Sequence, residues 1–257
     1  MTNLFSAQDV SVRFGGLLAL DKLSLDIEEG RIVGLLGPNG SGKTTFFNAL
    51  TGLCRTSSGQ MLLDDQDITG LQPRLVYGRG VTRTFQRSRL CLSLSVFDNV
   101  LIGRQNNIDL GLIANLLQRR AFKESVRDNY RRVHGLLDAF SEPLAARIFD
   151  PLHTLNMIDR RRIEVCRALI GEPRLLLLDE PSAGMTPDET REFMDDILKV
   201  RSQNPKMSII IIEHEMDLIQ RVAERCIVLN YGRKVADGTF DEIVADPWVQ
   251  EAYLGAS

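Results

Sequence analysis

A glycine-rich segment between a buried strand and a helix constrains this chain more than any other feature of its sequence. Residues 37–44 read GPNGSGKT and fit the pattern GxxxxGK[ST]. The preceding residues, Ile32–Leu36, are almost all apolar and predict a strand buried on both faces, and a helix is predicted over Lys43–Leu50. Here glycines let backbone N–H groups converge on an anion, and the helix N-terminus adds positive potential. The segment therefore predicts a phosphate-binding loop.

The residue types within this loop assign further roles. Lys43 supplies a mobile cation that can bridge β- and γ-phosphate oxygens, and Thr44 offers its hydroxyl to Mg²⁺. We therefore expect a nucleoside triphosphate to bind here together with Mg²⁺. The predicted nucleotide-binding residues of the segment are Gly37, Pro38, Asn39, Gly40, Ser41, Gly42, Lys43, Thr44 and Thr45.

A second group of candidates follows a run of four leucines. Residues 175–178 predict another strand buried on both faces, and Asp179 and Glu180 come at its end. If this strand is a parallel neighbour of the phosphate-loop strand, both carboxylates reach the same edge of the sheet. We then expect Asp179 to orient the metal through water and Glu180 to polarise the attacking water.

The order of strand and helix patterns predicts an α/β fold. Apolar and polar residues alternate in 10–14 and 23–27, as in half-buried strands, whereas helical periodicity dominates the middle of the chain. One predicted helix face there carries Phe122, Val126, Tyr130, Val133, Leu137 and Phe140. Strands and helices then alternate, which indicates parallel pairing. We predict a P-loop NTPase with a mostly parallel core sheet, an N-terminal antiparallel β region and an inserted α-helical subdomain.

The domain organisation follows from the same patterns. We predict one domain over residues 1–257, a length that is ample for a buried core. Within it, 1–87 form the β-rich and phosphate-loop core, 88–170 form the helical subdomain, and 171–257 return to the core and end in a short tail.

Composition and charge exclude several classes of protein. The formal net charge is −3, so the whole chain has no field that would attract nucleic acid. The longest aliphatic runs, 175–178 and 209–212, are much shorter than the roughly 18 apolar residues of a membrane-spanning helix.

Several arginines are interleaved with apolar residues, which favours a solvated, partner-facing surface. These are Arg79, Arg83, Arg87, Arg89, Arg160, Arg161 and Arg162.

With these motifs in this order, the chain resembles the nucleotide-binding subunit of an ATP-binding cassette (ABC) transporter over essentially its whole length. The resemblance implies that ATP is the nucleotide. It places Phe14 against adenine, although a core aromatic on a strand would fit Phe14 equally well. It assigns Gln86 to sensing the metal and contacting a membrane partner, and His214 to the γ-phosphate. Residues 182–185, SAGM, resemble the D-loop of the family.

Within this family, the chain is similar to the ATPases of branched-chain or hydrophobic amino-acid importers. The similarity rests on VRFGGL at 12–17, AGMTP at 183–187 and the ending over 246–255. It implies import powered through two separate membrane-spanning permease subunits, an indirect link to a substrate-binding protein, and a peripheral location on the cytoplasmic face of the inner membrane. The sequence does not identify the transported molecule.

Other functions remain open at this stage. The chain could be a weakly hydrolysing or non-hydrolysing regulatory partner in an asymmetric cassette heterodimer, or an ABC ATPase for another substrate such as urea. A P-loop kinase is weakened by the paired Asp179 and Glu180 and by the distant His214. The presence of Glu180 and His214 favours hydrolysis over regulation alone.

One segment departs from the family pattern. Counted back from the helix that follows, the LSGGQ signature position reads Leu155-Asn156-Met157-Ile158-Asp159. In the family, that serine and those glycines open a helix whose N-terminus approaches the γ-phosphate held by the opposite subunit. Asn156 can still cap the helix, but side chains replace glycine and Asp159 adds negative charge. We therefore predict a catalytically poor signature half-site and a heterodimer with a second cassette subunit.

Overall fold

The computed structural model describes residues 2–86, 89–107 and 119–254 as two compact units. The first unit is built from residues within 1–83, 174–181 and 204–257, and the second from residues within 84–173 and 182–203. The predicted single domain and its boundaries stay a prediction. Among the described residues, no helix combines the length and hydropathy that crossing a bilayer requires.

All strands of the described chain belong to the first unit. They are β1 (Asn3–Phe14), β2 (Leu17–Glu28), β3 (Ile32–Leu36), β4 (Ser58–Leu63), β5 (Gln66–Asp67), β6 (Val81–Arg83), β7 (Leu175–Asp179), β8 (Ser208–Ile212), β9 (Arg225–Asn230) and β10 (Arg233–Gly238). One sheet is antiparallel with the order β2-β1-β4-β5, and the other has the order β10-β9-β3-β8-β7-β6. The second sheet is parallel except for the β9–β10 hairpin. The predicted fold class is confirmed.

The helices are divided between the units. They are α1 (Lys43–Leu50), α2 (Pro73–Gly78), α3 (Val96–Leu101), α4 (Arg119–Phe140), α5 (Glu142–Ala146), α6 (Met157–Leu169), α7 (Pro187–Gln203), α8 (Met216–Val222), α9 (Phe240–Ala245) and α10 (Pro247–Leu254). The described part of the second unit contains α3 to α7 and two 3₁₀ helices, Ile102–Asn107 and Leu152–Thr154. It is discontinuous in sequence, because α7 joins it only after β7 has been completed in the first unit.

Apolar burial explains the architecture of the first unit. Every residue of β3, β7 and β8 is buried, as expected for parallel strands that are covered on both faces. Helix α1 places Phe46 and Phe47 in the core, and Phe46 meets Phe5 of β1 edge-on at 6.1 Å between ring centroids. The core therefore joins both sheets to the helix that follows the phosphate loop.

The second unit is held together by buried charge as well as by apolar contacts. Arg162 of α6 has a side chain only 7% exposed and bonds to Asp159 on its own helix and to Glu192 and Asp196 on α7. Burial alone would lower the pKa of Arg162, but these carboxylates raise it above its ordinary value. Arg161 is also buried and pairs with Glu164 at 2.8 Å. The predicted solvated arginine surface is therefore wrong at both positions, because ionic partners allow these arginines to be buried.

The predicted amphipathic helix is present as α4, but its apolar face is buried only in part. Val133, Leu137 and Phe140 are buried, whereas Val126 and Tyr130 are 46% and 37% exposed. The side chain of Phe122 lies outside the described residues. The apolar periodicity predicted which residues share one face of the helix. It could not show which of these residues are covered by other parts of the fold.

A close helix crossing in the second unit gives a stability test. A Cβ atom on Gly103 would collide with the carbonyl oxygen of Arg167 on α6, whereas a Cβ on Gly135 of α4 would meet nothing within 4 Å. We expect Gly103→Ala to lower the free energy of unfolding by about 1–3 kcal/mol through overpacking. Gly135→Ala should raise it by up to about 1 kcal/mol, because alanine favours helix. Urea denaturation followed by helical circular dichroism measures both, and equal effects would contradict the crossing.

Candidate nucleotide-binding site

The phosphate loop follows β3 directly, and backbone from other strands determines its shape. Gly37 has φ +141°, and a Cβ there would collide with the carbonyl oxygen of Leu229 on β9. Gly42 has φ +109°, and a Cβ there would lie 2.9 Å from the carbonyl oxygen of Ala19 on β2. Both positions therefore require glycine, for backbone conformation and for space.

A hairpin late in the chain also holds this loop. The N–H of Gly232 donates to the carbonyl oxygen of Ser41 at 2.9 Å, and the N–H of Asp21 donates to the carbonyl oxygen of Gly232 at 3.0 Å. Gly232 has φ +77°, and a Cβ there would lie 2.7 Å from the carbonyl oxygen of Ala19. The loop is thus held between the β9–β10 hairpin and the start of β2.

Lys43, at the first position of α1, folds back over the loop. Its ammonium donates to the carbonyl oxygens of Gly37 at 2.6 Å and Pro38 at 3.0 Å. Burial lowers the pKa of the Lys43 ammonium, and the negative charges of Glu180 and Asp179 oppose that shift only in part. The Lys43 ammonium is therefore a buried cation within the loop, and such a cation can bind phosphate oxygens.

Polar groups of the loop match a phosphate ligand. Ser41 is 2% exposed, and its Oγ has no hydrogen-bond partner among the described residues. The first N–H groups of α1 have no acceptor within their own helix. A buried hydroxyl without a partner, free helix N–H groups and the Lys43 ammonium together fit an anion with several oxygens. A nucleotide polyphosphate is such an anion.

The acidic pair lies at the same edge of the sheet as the loop, but the strand order differs from the expected one. We expected the strand of Asp179 to be a parallel neighbour of β3, and β8 lies between them. The register pairs Asp179 with Ile212 of β8. All three strands are parallel, so their carboxyl ends still meet at one edge. Local sequence patterns carry no information on the order of buried parallel strands.

Glu180 and His214 form a contact at this edge. The Nε2 atom of His214 lies 2.8 Å from Oε1 of Glu180, and the side chains are 46% and 18% exposed. Glu180 has φ +47°, a conformation that is uncommon for a residue other than glycine. Its N–H donates to the carbonyl oxygen of Ile212 at 2.9 Å, which fixes the strained backbone. Strain held in this way is characteristic of functional sites.

The sequence analysis missed one member of this group. Arg83, the last residue of β6, bonds to Asp179 at 2.6 Å, and the two side chains are 5% and 4% exposed. The predicted solvated surface is therefore wrong at this arginine as well. Arg79 and Arg89 contact Gln66 and the ring of Phe85 respectively, and Arg87 lies outside the described residues. Arg83 lies three residues before Gln86 in the sequence, and this closeness to a predicted site residue was the available indication that Arg83 belongs to the site.

Phe14 ends β1 beside the turn that leads into β2. It pairs with Leu17 and is 50% exposed, so the alternative of a core aromatic does not describe it. The strand that follows carries Ala19 and Leu20 against Gly42 of the loop. Phe14, the loop residues 37–45, Asp179, Glu180 and His214 all belong to the first unit.

The remaining candidates belong to the second unit. Gln86 is exposed and follows the end of β6 by three residues. In the D-loop segment, the carbonyl oxygen of Ala183 accepts a hydrogen bond from Arg161 at 3.0 Å. Gly184 has φ +85°, and a Cβ there would lie 3.8 Å from the terminal methyl of Met157. The D-loop and the altered signature are therefore neighbours within this unit.

The altered signature forms a regular helix start. Asn156 caps α6, and its Oδ1 accepts a hydrogen bond from the N–H of Asp159 at 2.9 Å. Met157 is 46% exposed, whereas Ile158 is buried. The carboxylate of Asp159 bonds to Arg162 at 3.0 Å. The added negative charge is therefore paired, and of the two residues at glycine positions only Met157 presents its side chain to solvent.

The ABC transporter profile matches residues 20–183, which is more than half of the chain. A second profile, the branched-chain amino acid ATP-binding cassette transporter, matches residues 233–257. The first match includes the phosphate loop and the acidic pair. The second begins with β10, in the hairpin that bonds to the loop.

Curated relatives match almost the entire chain. The branched-chain amino acid transport ATP-binding protein BraF of Pseudomonas aeruginosa is 36% identical over 253 residues and covers 98% of each chain. The corresponding protein LivG of Escherichia coli K12 is 36% identical over 252 residues, again with 98% of each chain.

Solved structures share the fold. A nucleotide-free ATP-binding cassette from an ABC transporter has a TM-score of 0.84 at 26% identity, covering 99% of this chain and 100% of that one. A cassette in its ADP conformation has a TM-score of 0.84 at 25% identity, with 100% of both chains covered. Sequence profiles, full-length relatives and fold agree, and the chain belongs to the ATP-binding subunits of the ABC transporter family.

Proposed function

We propose that this chain is the ATP-hydrolysing subunit that powers import of branched-chain or other hydrophobic amino acids through separate membrane subunits. The observation that carries the proposal is the 36% identity with BraF over 98% of both chains. The match of residues 233–257 to the branched-chain cassette profile supports the same subgroup. The contact between Glu180 and His214 supports hydrolysis rather than nucleotide binding alone.

Different residues of the first unit have different roles in ATP hydrolysis. The loop N–H groups and Lys43 hold the β- and γ-phosphates. Glu180 polarises the attacking water, while His214 orients that carboxylate and contacts the γ-phosphate. The half-exposed Phe14 stacks on adenine. These roles follow from the family resemblance and fit the geometry of the described side chains.

Thr44 and Asp179 are the residues of the first unit that would hold Mg²⁺, and the family resemblance assigns Gln86 to sensing the metal. A hydroxyl and a carboxylate are the hard oxygen donors that Mg²⁺ prefers. When bound, Mg²⁺ neutralises charge that develops between the β- and γ-phosphates. Thr44 is exposed at the start of α1, and Asp179 is buried at the end of β7.

We also propose the assembly in which this subunit works. Two membrane-spanning permease subunits and a second ATPase subunit complete the transporter, and a substrate-binding protein delivers the amino acid. The subunit lies peripherally on the cytoplasmic face of the inner membrane. The second ATPase subunit is required because α6 of this chain starts with Met157 and Ile158, at positions where the family has glycine. This chain then contributes an intact phosphate loop and a poor signature.

Substitution of Lys43 tests the nucleotide site. We expect Lys43→Ala to reduce ATP affinity by at least about tenfold, because charge-assisted hydrogen bonds to phosphate are lost. Lys206→Ala changes a lysine that is exposed, so ATP affinity should stay at the wild-type value. Equilibrium binding of a fluorescent ATP analogue measures both. Unchanged affinity in Lys43→Ala would contradict the assigned site.

Substitution of Glu180 tests hydrolysis separately from binding. Glu180→Gln should keep ATP affinity and lower kcat by about 10²- to 10⁴-fold, because an amide is a far weaker base than a carboxylate. Glu215→Gln changes an exposed carboxylate next to His214 and should leave kcat close to wild type. Phosphate release by the assembled transporter is the measurement. A Glu180→Gln complex that turns over at the wild-type rate excludes the role as base.

The heterodimer is tested by mixing subunits. We expect this chain alone to show little ATPase activity, because two copies would place two altered signatures opposite two phosphate loops. Adding the second cassette subunit with the permeases should restore activity, and Glu180→Gln in this chain should abolish most of it. Robust ATPase activity from a homodimer of this chain would refute the arrangement.

A further inference from the structure

A buried arginine holds the proposed metal-binding carboxylate in this structure. The side chain of Arg83 donates to Oδ2 of Asp179 at 2.6 Å and to Oδ1 of Asn48 at 2.7 Å. Its guanidinium carbon also lies 5.3 Å from the ring centroid of Phe47. All four residues belong to the first unit. The arginine therefore links α1, the helix of the phosphate loop, to the end of β7.

The pair with Asp179 compensates charge in a place that water barely reaches. The side chains are 5% and 4% exposed, and a carboxylate buried to this degree needs a cation or several donors. Loss of one partner from a buried ion pair is strongly destabilising, because the other charge is left uncompensated. The Arg83 guanidinium provides compensation at 2.6 Å, and the Lys43 ammonium, which also interacts with Asp179, adds to it.

The same carboxylate cannot serve two cations equally. A divalent cation that interacts with Asp179, directly or through water, compensates part of the carboxylate's negative charge. The same cation is repelled by the positive charge of the nearby guanidinium. Arg83 also contacts Asn48 and Phe47, and neither of these contacts involves Asp179. Arginine and metal are therefore energetically coupled, and each weakens the other's hold on Asp179.

We propose that Arg83 is a positioning residue that acts as the counter-ion of Asp179 in the metal-free protein and thereby weakens Mg²⁺ binding at the nucleotide site. The inference rests on the proposed Mg²⁺–ATP site and deepens it. Its consequence is functional, because a site that is stable without metal can release Mg²⁺ with the spent nucleotide. A purely structural ion pair would stabilise the fold equally with and without metal.

Thermal unfolding of the full chain with the non-hydrolysable analogue AMP-PNP, titrated with Mg²⁺, tests this coupling. We expect R83M to lower the Tm in EDTA and to lower the half-saturating Mg²⁺ concentration by about tenfold. R83Q is a second, more conservative variant that can still donate to Asp179 without charge, and it should also shift the half-saturation downward. R83K keeps the charge and should stay near the wild-type value. Equal half-saturation in all four proteins would overturn the proposal.

A control variant and a double variant distinguish the effect of charge at Asp179 from a general loss of stability. Arg225→Met removes another ionic contact of the first unit, with Asp26 and Asp237, on the opposite end of the parallel strands. It should lower the Tm equally with and without Mg²⁺. The double variant R83M/D179N leaves no carboxylate at position 179 and should recover Tm in EDTA relative to R83M. Failure to recover would contradict the charge argument.

The same titration distinguishes failure of this inference from failure of the proposed site. If wild-type protein with AMP-PNP shows no response to Mg²⁺, the proposed Mg²⁺–ATP site is wrong, and the inference falls with it. If wild type responds and the R83M and R83Q half-saturations match it, the site stands and only the role of Arg83 is refuted.

Discussion

Charges at the carboxyl edge of a buried parallel sheet need partners, and the first unit is arranged around that requirement. Lys43, Asp179 and Arg83 have side chains that are nearly inaccessible to water. Lys43 bonds to carbonyl oxygens of its own loop, and Arg83 bonds to Asp179, which is 96 residues away in the sequence. Because an unpaired charge in such a place is costly, the loop, α1 and β7 cannot shift independently. Ionic contacts and hydrogen bonds therefore link the loop, α1, β6 and β7 at this edge of the sheet.

The parts of this arrangement that could be predicted are those encoded locally. The phosphate loop, the strand before it and the helix after it are adjacent in sequence, so one motif with its flanks is sufficient. Asp179 is the last residue of a strand that is otherwise all leucine, and Glu180 follows it directly. Such features depend on residue type and short-range periodicity, both of which are visible in a single chain.

The features that escaped prediction depend on long-range pairing. Arg83 is 96 residues from Asp179, and an arginine among apolar residues looks the same in sequence whether it is solvated or ion-paired. The position of β8 between β3 and β7 is likewise invisible to local patterns. At the altered signature, the sequence showed which residues replace glycine, but only the fold shows that Ile158 turns inward and that Arg162 bonds to Asp159.

The contact between the loop and the β9–β10 hairpin determines when the loop can fold during synthesis of the chain. The loop lies near the start of the chain, at residues 37–44, yet its carbonyl at Ser41 is bonded to Gly232 and Gly37 packs against Leu229. A ribosome has to synthesise the chain through residue 232 before these neighbours exist. Until then, the nascent chain carries the phosphate-binding sequence without the backbone that shapes it. Nucleotide can stabilise the first unit only after this late hairpin has emerged.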